Sequence, residues 1–399
     1  MRPASRRTAF ATASLTAALA LWTSGAPSVV YPVYGRLWDV PPALTTVVFG
    51  VYPLTLLVVL GLFGGISDRI GRRAAIVLGL ALMAVGTLAF ALAPSLPVLL
   101  LGRVLTGAGV GFALSPATAA LAEYARPGRG HLAGAVATAS TASGLTVALL
   151  IGGVFLTWLG DPLHASYWPL LGAILLTLLS ALRLPAGERG SGRAVQVLRV
   201  PRSMTGVVAQ GALGVAAAFG TGGVVLALGA DVAVDLIGTS APLVIGLVLA
   251  LSAVTIGATA LLARRVRAGV AAPVGALLMV LGLGLLVLAS ATASLVVFLA
   301  SIVVTGVGYS LLFAAGVGIA AELAPPAHRA ATVSTVYFFG YGVQAIAAIG
   351  LGQVATADGL LPAIAIGAVL LSVLALVAGA APLVRARRAV RTITEGNPA

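Results

Sequence analysis

Gly64-Gly65-Ile66-Ser67-Asp68-Arg69-Ile70-Gly71-Arg72-Arg73 is the stretch that decides how this chain is read. It lies between two long apolar runs, and its residue types answer the problems of a short connection between membrane helices. Gly64 lets one helix end approach a neighbour. Asp68 stands where the next helix begins and complements the positive end of its dipole, and Gly71 relieves a tight turn. Arg69, Arg72 and Arg73 can anchor in anionic headgroups or pair with Asp68. Positive charge alone would set topology, but it leaves the aspartate and both glycines unexplained.

The flanking runs belong to a pattern that fills the chain. Of 399 residues, 60% are hydrophobic and 8% charged, and the mean hydropathy is +1.12. That leaves too little polar surface to cover a water-soluble globule. A span needs about 20 mostly apolar residues, because lipid offers the backbone no hydrogen-bond partners. Apolar runs between charge, Pro and Gly punctuation place spans near 10–35, 44–66, 74–93, 97–122, 132–158, 167–184, 205–229, 240–263, 273–291, 294–322, 331–355 and 360–384. The abundant glycine, 50 residues, suits helices that pack closely in lipid. Residues 185–204 are the longest polar stretch, and they divide the chain. The expected fold is an all-α integral membrane protein of twelve transmembrane helices in two pseudo-symmetric six-helix bundles. The first bundle covers 1–184, a cytoplasmic loop covers 185–204, and the second bundle with a short basic tail covers 205–399.

The formal charge of +13 is carried by arginine, for the chain has no lysine. With the N-terminus inside, all the loop arginines except Arg36 fall on the cytoplasmic side, and Arg103 lies within a span. This is the positive-inside pattern, so both termini are expected in the cytoplasm. Asp39, Asp161, Asp231, Asp235, Asp358 and His164 then fall in the outer loops. Arginines that bound nucleic acid would gather on one polar segment instead of alternating between loops. The chain has no cysteine, which removes disulfides, thiolate metal sites and thiol nucleophiles. An internal repeat supports two halves: Thr106-Gly107-Ala108-Gly109 recurs as Thr305-Gly306-Val307-Gly308, followed at the same spacing by Glu123 and Glu322.

These features resemble the major facilitator superfamily of secondary carriers. Its loop motif of Gly, three residues, Asp-Arg, one residue, Gly-Arg and a further basic residue is matched at every defining position from Gly64 to Arg73. The resemblance implies a cytoplasmic latch, in which Gly64, Asp68, Arg69, Gly71, Arg72 and Arg73 hold the two halves together. The equivalent loop of the second half, Ala263 to Gly269, lacks the acid. Arg103, Thr106, Gly107 and Gly109 resemble the family's fourth-span motif, though Thr106 stands where glutamine is commoner. There the arginine is tied to ion coupling. A structural reading stands beside it: Arg103 lies about six residues, or roughly 9 Å, below the outer surface, close enough to snorkel while bonding carbonyls of the first helix. In the fifth span, Gly144, Ala148, Leu149, Gly152 and Gly153 resemble the antiporter motif without its Gly-Pro step, and small residues at this spacing also serve plain packing.

No carboxylate is expected in the middle of a span, so the polarity of a central site must come from hydroxyl, amide and aromatic groups. The candidates are Trp22, Tyr31, Gln210, Tyr309, Tyr337, Tyr341 and Gln344. Tyr337, Tyr341 and Gln344 share one helix face, while Tyr34 and Tyr52 read as interfacial anchors. The resemblance, closest to the drug/proton antiporter-like efflux branch, implies a transporter without enzymatic activity that exports small hydrophobic compounds in exchange for protons. The alternatives are uptake or uniport of a small metabolite such as a sugar or aromatic acid, and, in a different class, a transporter-like membrane receptor. The expected partners are a small-molecule substrate, protons and the lipid bilayer of a bacterial plasma membrane, with no nucleic acid, cofactor or metal, and the chain is expected to act as a monomer.

Overall fold

Lipid leaves the helix as the only open element whose backbone bonds are all internal, and helices are what the chain forms. The structure, a computed structural model, describes residues 5–395 except 64–68, 125–132, 160, 162, 186–204, 237, 239–240, 264 and 324–328. In chain order the helices are α1 (Arg6–Gly25), α2 (Tyr31–Trp38), α3 (Pro42–Phe63), α4 (Arg72–Ala91), α5 (Leu96–Tyr124), α6 (Ala133–Trp158), α7 (Tyr167–Ala181), α8 (Thr205–Asp231), α9 (Pro242–Leu262), α10 (Ala268–Thr292), α11 (Leu295–Leu323), α12 (Arg329–Asp358) and α13 (Leu360–Glu395). A π-helical turn, Val232–Leu236, continues α8.

Ten described helices are long and apolar enough to cross a membrane: α3 to α6, α8 with its π-helical turn, and α9 to α13. The remaining two expected spans depart from the ideal. α7 is apolar but has 15 residues, and the run expected at 10–35 is split into α1 and α2. The split has a local cause. Pro27 has no N–H to continue the hydrogen-bond ladder, and residues 26–30 form turns before α2 begins.

The ends of the helices differ in charge. At one end Arg6 reaches the carbonyls of Glu123 and Tyr124, Arg72 pairs with Glu123, and Thr12 meets Ser180 at 2.6 Å. The opposite end carries Asp39, Asp161, His164 and Asp358. There the Tyr34 hydroxyl lies 3.2 Å from both the Leu163 carbonyl and the Tyr167 hydroxyl. His164 bonds Asp161 at 2.8 Å and the Ala93 carbonyl at 3.0 Å, which ties two connections together. Tyr34 and Tyr52 are 1% and 3% exposed, and the Tyr52 hydroxyl donates to the Ala20 carbonyl. Their expected role as interfacial anchors is therefore replaced by buried, hydrogen-bonded ones.

The sequence repeat has a geometric counterpart. Gly107 faces the Tyr52 carbonyl and Thr55 on α3, and Gly306 faces Ser252 and Thr255 on α9. Gly109 packs on Gly79 and Met83 of α4, and Gly308 on Gly275 and Met279 of α10. Thr23 of α1 meets the sulfur of Met83, and Thr221 of α8 meets that of Met279. Equivalent residues thus make equivalent contacts in each half of the chain.

The halves meet along α3–α12 and α6–α9. In the first seam Gly50 faces Ile349, Gly352 faces Thr46, and the Ala43 N–H donates to Thr356 Oγ1 at 2.8 Å. The second seam is a backbone-to-backbone crossing. A methyl on Gly153 would stand 2.9 Å from the Pro242 carbonyl oxygen and 3.2 Å from Gly246 Cα, and one on Gly246 would stand 2.6 Å from the Leu149 carbonyl oxygen. Overpacking such a contact costs about 1–3 kcal/mol. Gly153→Leu is expected to lower the thermal unfolding midpoint of the detergent-purified protein by several degrees, whereas Gly284→Leu, at a position with nothing within 4 Å, is expected to leave it unchanged.

Candidate functional site

Pro27 deprives the Thr23 carbonyl of the donor it would have in a continuous helix, and the Ser28 N–H turns to Gly25 instead of Ser24. Two carbonyls at the negative end of the α1 dipole are thereby left open. Arg103, projecting from α5, fills the gap. Its Nη1 donates to the Ser24 carbonyl at 3.1 Å and the Thr23 carbonyl at 3.3 Å, and its Nη2 donates to the Tyr31 hydroxyl on α2. The guanidinium therefore bridges both sides of the helix break.

Arg103 is 0% exposed. This replaces the snorkelling alternative, while the bonds to first-helix carbonyls stand. The charge rests among ring faces, with its central carbon 6.0 Å from the Tyr31 ring, 5.9 Å from Phe49, 5.6 Å from Tyr52 and 5.6 Å from Phe90. Carbonyl dipoles and aromatic quadrupoles stabilise it where a carboxylate would otherwise be needed. Phe49 and Phe90 escaped the sequence reading because phenylalanine in an apolar run carries no distinguishing signal. Pro27 was the overlooked clue, since it marks where an acceptor pair becomes free.

The second-half candidates gather around Phe219 of α8. Its ring centroid lies 4.7 Å from Tyr341, 5.6 Å from Phe313, 6.0 Å from Tyr337 and 6.3 Å from Tyr309. Tyr337 and Tyr341 share the expected face of α12, and Gln344 continues it by packing against Gly223. Tyr341 also packs against the buried core that contains Tyr31, Phe49 and Tyr52. Trp22 Nε1, Gln344 Oε1 and Arg103 Nε are buried without hydrogen-bond partners, so polar groups suited to a solute stand beside large apolar faces. Gln210 is not brought to this group. It lies toward the arginine-rich end of α8, next to Gly211, which packs on Gly316.

Gly64 and Asp68 of the expected latch lie outside the described residues. Of the others, Gly71 has φ +87° and precedes α4, as a tight turn requires. Arg72 pairs with Glu123, both about half exposed, and such surface pairs contribute little stability. Gly144 and Gly152 pack α6 on α1 and on Val29, and Gly153 forms the seam with α9. All three act as packing residues.

Asp231 and Asp235, expected in an outer loop, belong instead to a helical segment, in which Asp235 is exposed. The helical segment runs on through the π-helical turn to Leu236, and the apolar span covers Val208–Leu236. Asp231 Oδ2 is buried there without a hydrogen-bond partner. The sequence reading ended the span at the first acid and missed the apolar residues after it.

A family model described as Major Facilitator Superfamily matches residues 13–349. The inner membrane transport protein YajR of Escherichia coli (strain K12) is 34% identical over 181 residues, 45% of this chain and 36% of that protein. A triacylglyceride transporter of Mycolicibacterium hassiacum is 36% identical over 151 residues, 37% of this chain and 27% of that protein. The chain thus spans about a third of the length of these curated relatives. A peptide transporter crystallised with sulfate superposes with a TM-score of 0.77 at 16% identity, covering 97% of this chain and 95% of its own. A bacterial homologue of the human lysosomal transporter Spinster, inward-facing and occupied, gives 0.72 at 16% identity, covering 96% and 97%. At such identities the likeness speaks for the fold, and the family match completes the argument: this chain is a multi-pass membrane protein of the major facilitator superfamily.

Proposed function

We propose that the protein exports small hydrophobic compounds in exchange for protons, working by alternating access between two six-helix bundles. The observation that carries the reading is the cluster of Phe219, Tyr309, Phe313, Tyr337 and Tyr341 contributed by α8, α11 and α12. Among the described residues, the ring contacts of this cluster are all with other Phe and Tyr side chains. A site of this kind holds apolar surface and orients it with a few hydrogen bonds, and it offers a dication no counter-charge. The triacylglyceride transporters among the relatives agree with a hydrophobic solute. On this reading twelve spans place both termini inside, with α1 and α2 forming one broken span and α7 a short one. The carrier acts as a monomer in the bacterial plasma membrane, and the latch loop at 64–73 holds the bundles together on the cytoplasmic side. A second reading, uptake, is favoured by the similarity to a citrate-proton symporter of Salmonella typhi, 35% identical over 152 residues, and to D-xylose-proton symporter-like 2 of Arabidopsis thaliana, 47% identical over 68 residues.

The test is accumulation of the neutral dye Nile red in an efflux-deficient bacterial host. Expression is expected to lower steady-state dye severalfold, with the difference abolished when the proton gradient is collapsed. Unchanged Nile red, together with acquired uptake of labelled citrate or a polyol, would replace export by import.

A further inference from the structure

His164, in the connection between α6 and α7 at the acid-rich end, has an acceptor at each ring nitrogen. Nδ1 lies 2.8 Å from Asp161 Oδ1, and Nε2 lies 3.0 Å from the Ala93 carbonyl oxygen. A carbonyl oxygen only accepts, so Nε2 must carry a proton. An ionised carboxylate also only accepts, so Nδ1 must carry one too. Both bonds form together only when the ring is the imidazolium ion. Placing the second proton on Asp161 instead would require a neutral carboxyl on a side chain that is 53% exposed, where water favours the charged form. The same Oδ1 accepts the His164 backbone N–H at 3.3 Å, which fixes the acid against its partner.

The neighbouring elements leave the pair undisturbed. The α4–α5 connection, residues 92–95, carries no charge. Tyr34 of α2 and Tyr167 of α7 meet each other at 3.2 Å, and both are phenols, neutral between about pH 5 and 8. Arg103 of α5 gives its protons to Thr23, Ser24 and Tyr31. Arg36 and Asp39 are the charged groups at the end of α2, and neither pairs with His164 or Asp161 among the described residues. The connection so fastened also holds what surrounds it. The Leu163 carbonyl accepts from the Tyr34 hydroxyl, and Tyr167 stacks on Phe90 of α4 with ring centroids 5.1 Å apart.

We infer that His164 and Asp161 form a pH-operated clasp between the α6–α7 and α4–α5 connections, closed when the imidazole is doubly protonated and released when it is neutral. Loss of one proton leaves a lone pair facing the carboxylate at Nδ1 or, in the other tautomer, facing the Ala93 carbonyl at Nε2. Either way one attraction becomes a repulsion. The closed clasp therefore binds one proton more than the released one, so acid favours closure and alkali favours release, across the interval of about pH 5 to 8 in which histidine changes charge. On release the connection no longer fixes the Leu163 carbonyl against Tyr34, and α2 loses a restraint beyond the break that Arg103 bridges. The firmness of this end is thus set by the pH of the compartment that bathes it. The proton stays on the clasp and is not carried, so the inference is independent of the solute, of the direction of transport and of proton exchange.

Both readouts use the full chain in lipid nanodiscs. With His131→Gln and His328→Gln, His164 is the remaining histidine, and nitrogen-15 NMR of its ring is expected to show two protonated nitrogens at pH 5 and one at pH 8. Asp161→Asn is expected to move the midpoint to lower pH. The absence of native cysteine allows a single nitroxide at Ala165→Cys, whose mobile fraction is expected to rise severalfold from pH 5 to pH 8. His164→Gln is expected to hold the mobile spectrum at both pH values, and His164→Arg, a permanent cation, the restrained one. As a control on folding, the His164→Gln protein is expected to match the wild-type unfolding midpoint at pH 8 and to fall below it at pH 5. A ring with one proton at pH 5, a midpoint unmoved by Asp161→Asn, or a nitroxide response to pH that survives His164→Gln overturns the inference.

Discussion

The hydrogen bonds from Arg103 to the Thr23 and Ser24 carbonyls are the constraint on which the candidate site depends. A break in a membrane helix exposes acceptors that lipid cannot satisfy, and each buried polar group left alone costs about 1–3 kcal/mol. One guanidinium satisfies both carbonyls and holds Tyr31 on the far side of the break. The ring faces of Phe49, Tyr52 and Phe90 surround it because a cation with no carboxylate in contact must find its stabilisation elsewhere. Removing the arginine would therefore disturb the position of α2 as much as the local charge.

The two halves repeat the packing but not this interaction. Thr106 and Thr305 occupy matching places against Gly86 and Gly282, and three residues before each stand Arg103 and Ile302, both buried. Where the first half breaks its leading helix and caps it with a cation, the second half keeps α8 continuous into a π-helical turn ending at Leu236. The first half thus brings positive charge to the central region, and the second brings aromatic surface and an acid.

Much of this was legible in the chain. Apolar run length located the helices, and the loop from Gly64 to Arg73 with the TGxG repeat pointed to the family. Tyr337 and Tyr341 were placed on one face by spacing alone, and both meet Phe219. What escaped the reading was depth. A tyrosine near a run boundary looks alike whether it faces headgroups or a neighbouring helix, so Tyr34 and Tyr52 read as anchors although tertiary hydrogen bonds bury them. Asp231 read as a loop residue because a carboxylate normally ends an apolar run. Its burial depends on packing by α2, α10 and α13, which are distant in sequence. The break at Pro27 was visible as a residue, but its consequence required knowing that α5 delivers Arg103 to the same place.

The most direct measurement is a double-mutant cycle between Pro27→Ala and Arg103→Leu, read as thermal unfolding of the detergent-purified protein. Alanine restores an N–H able to satisfy the Thr23 carbonyl, so Arg103→Leu should destabilise the Pro27→Ala protein less than the wild type, with a coupling of about 1 kcal/mol or more. Equal losses in both backgrounds would show that Arg103 does not serve the helix break, and would contradict the account.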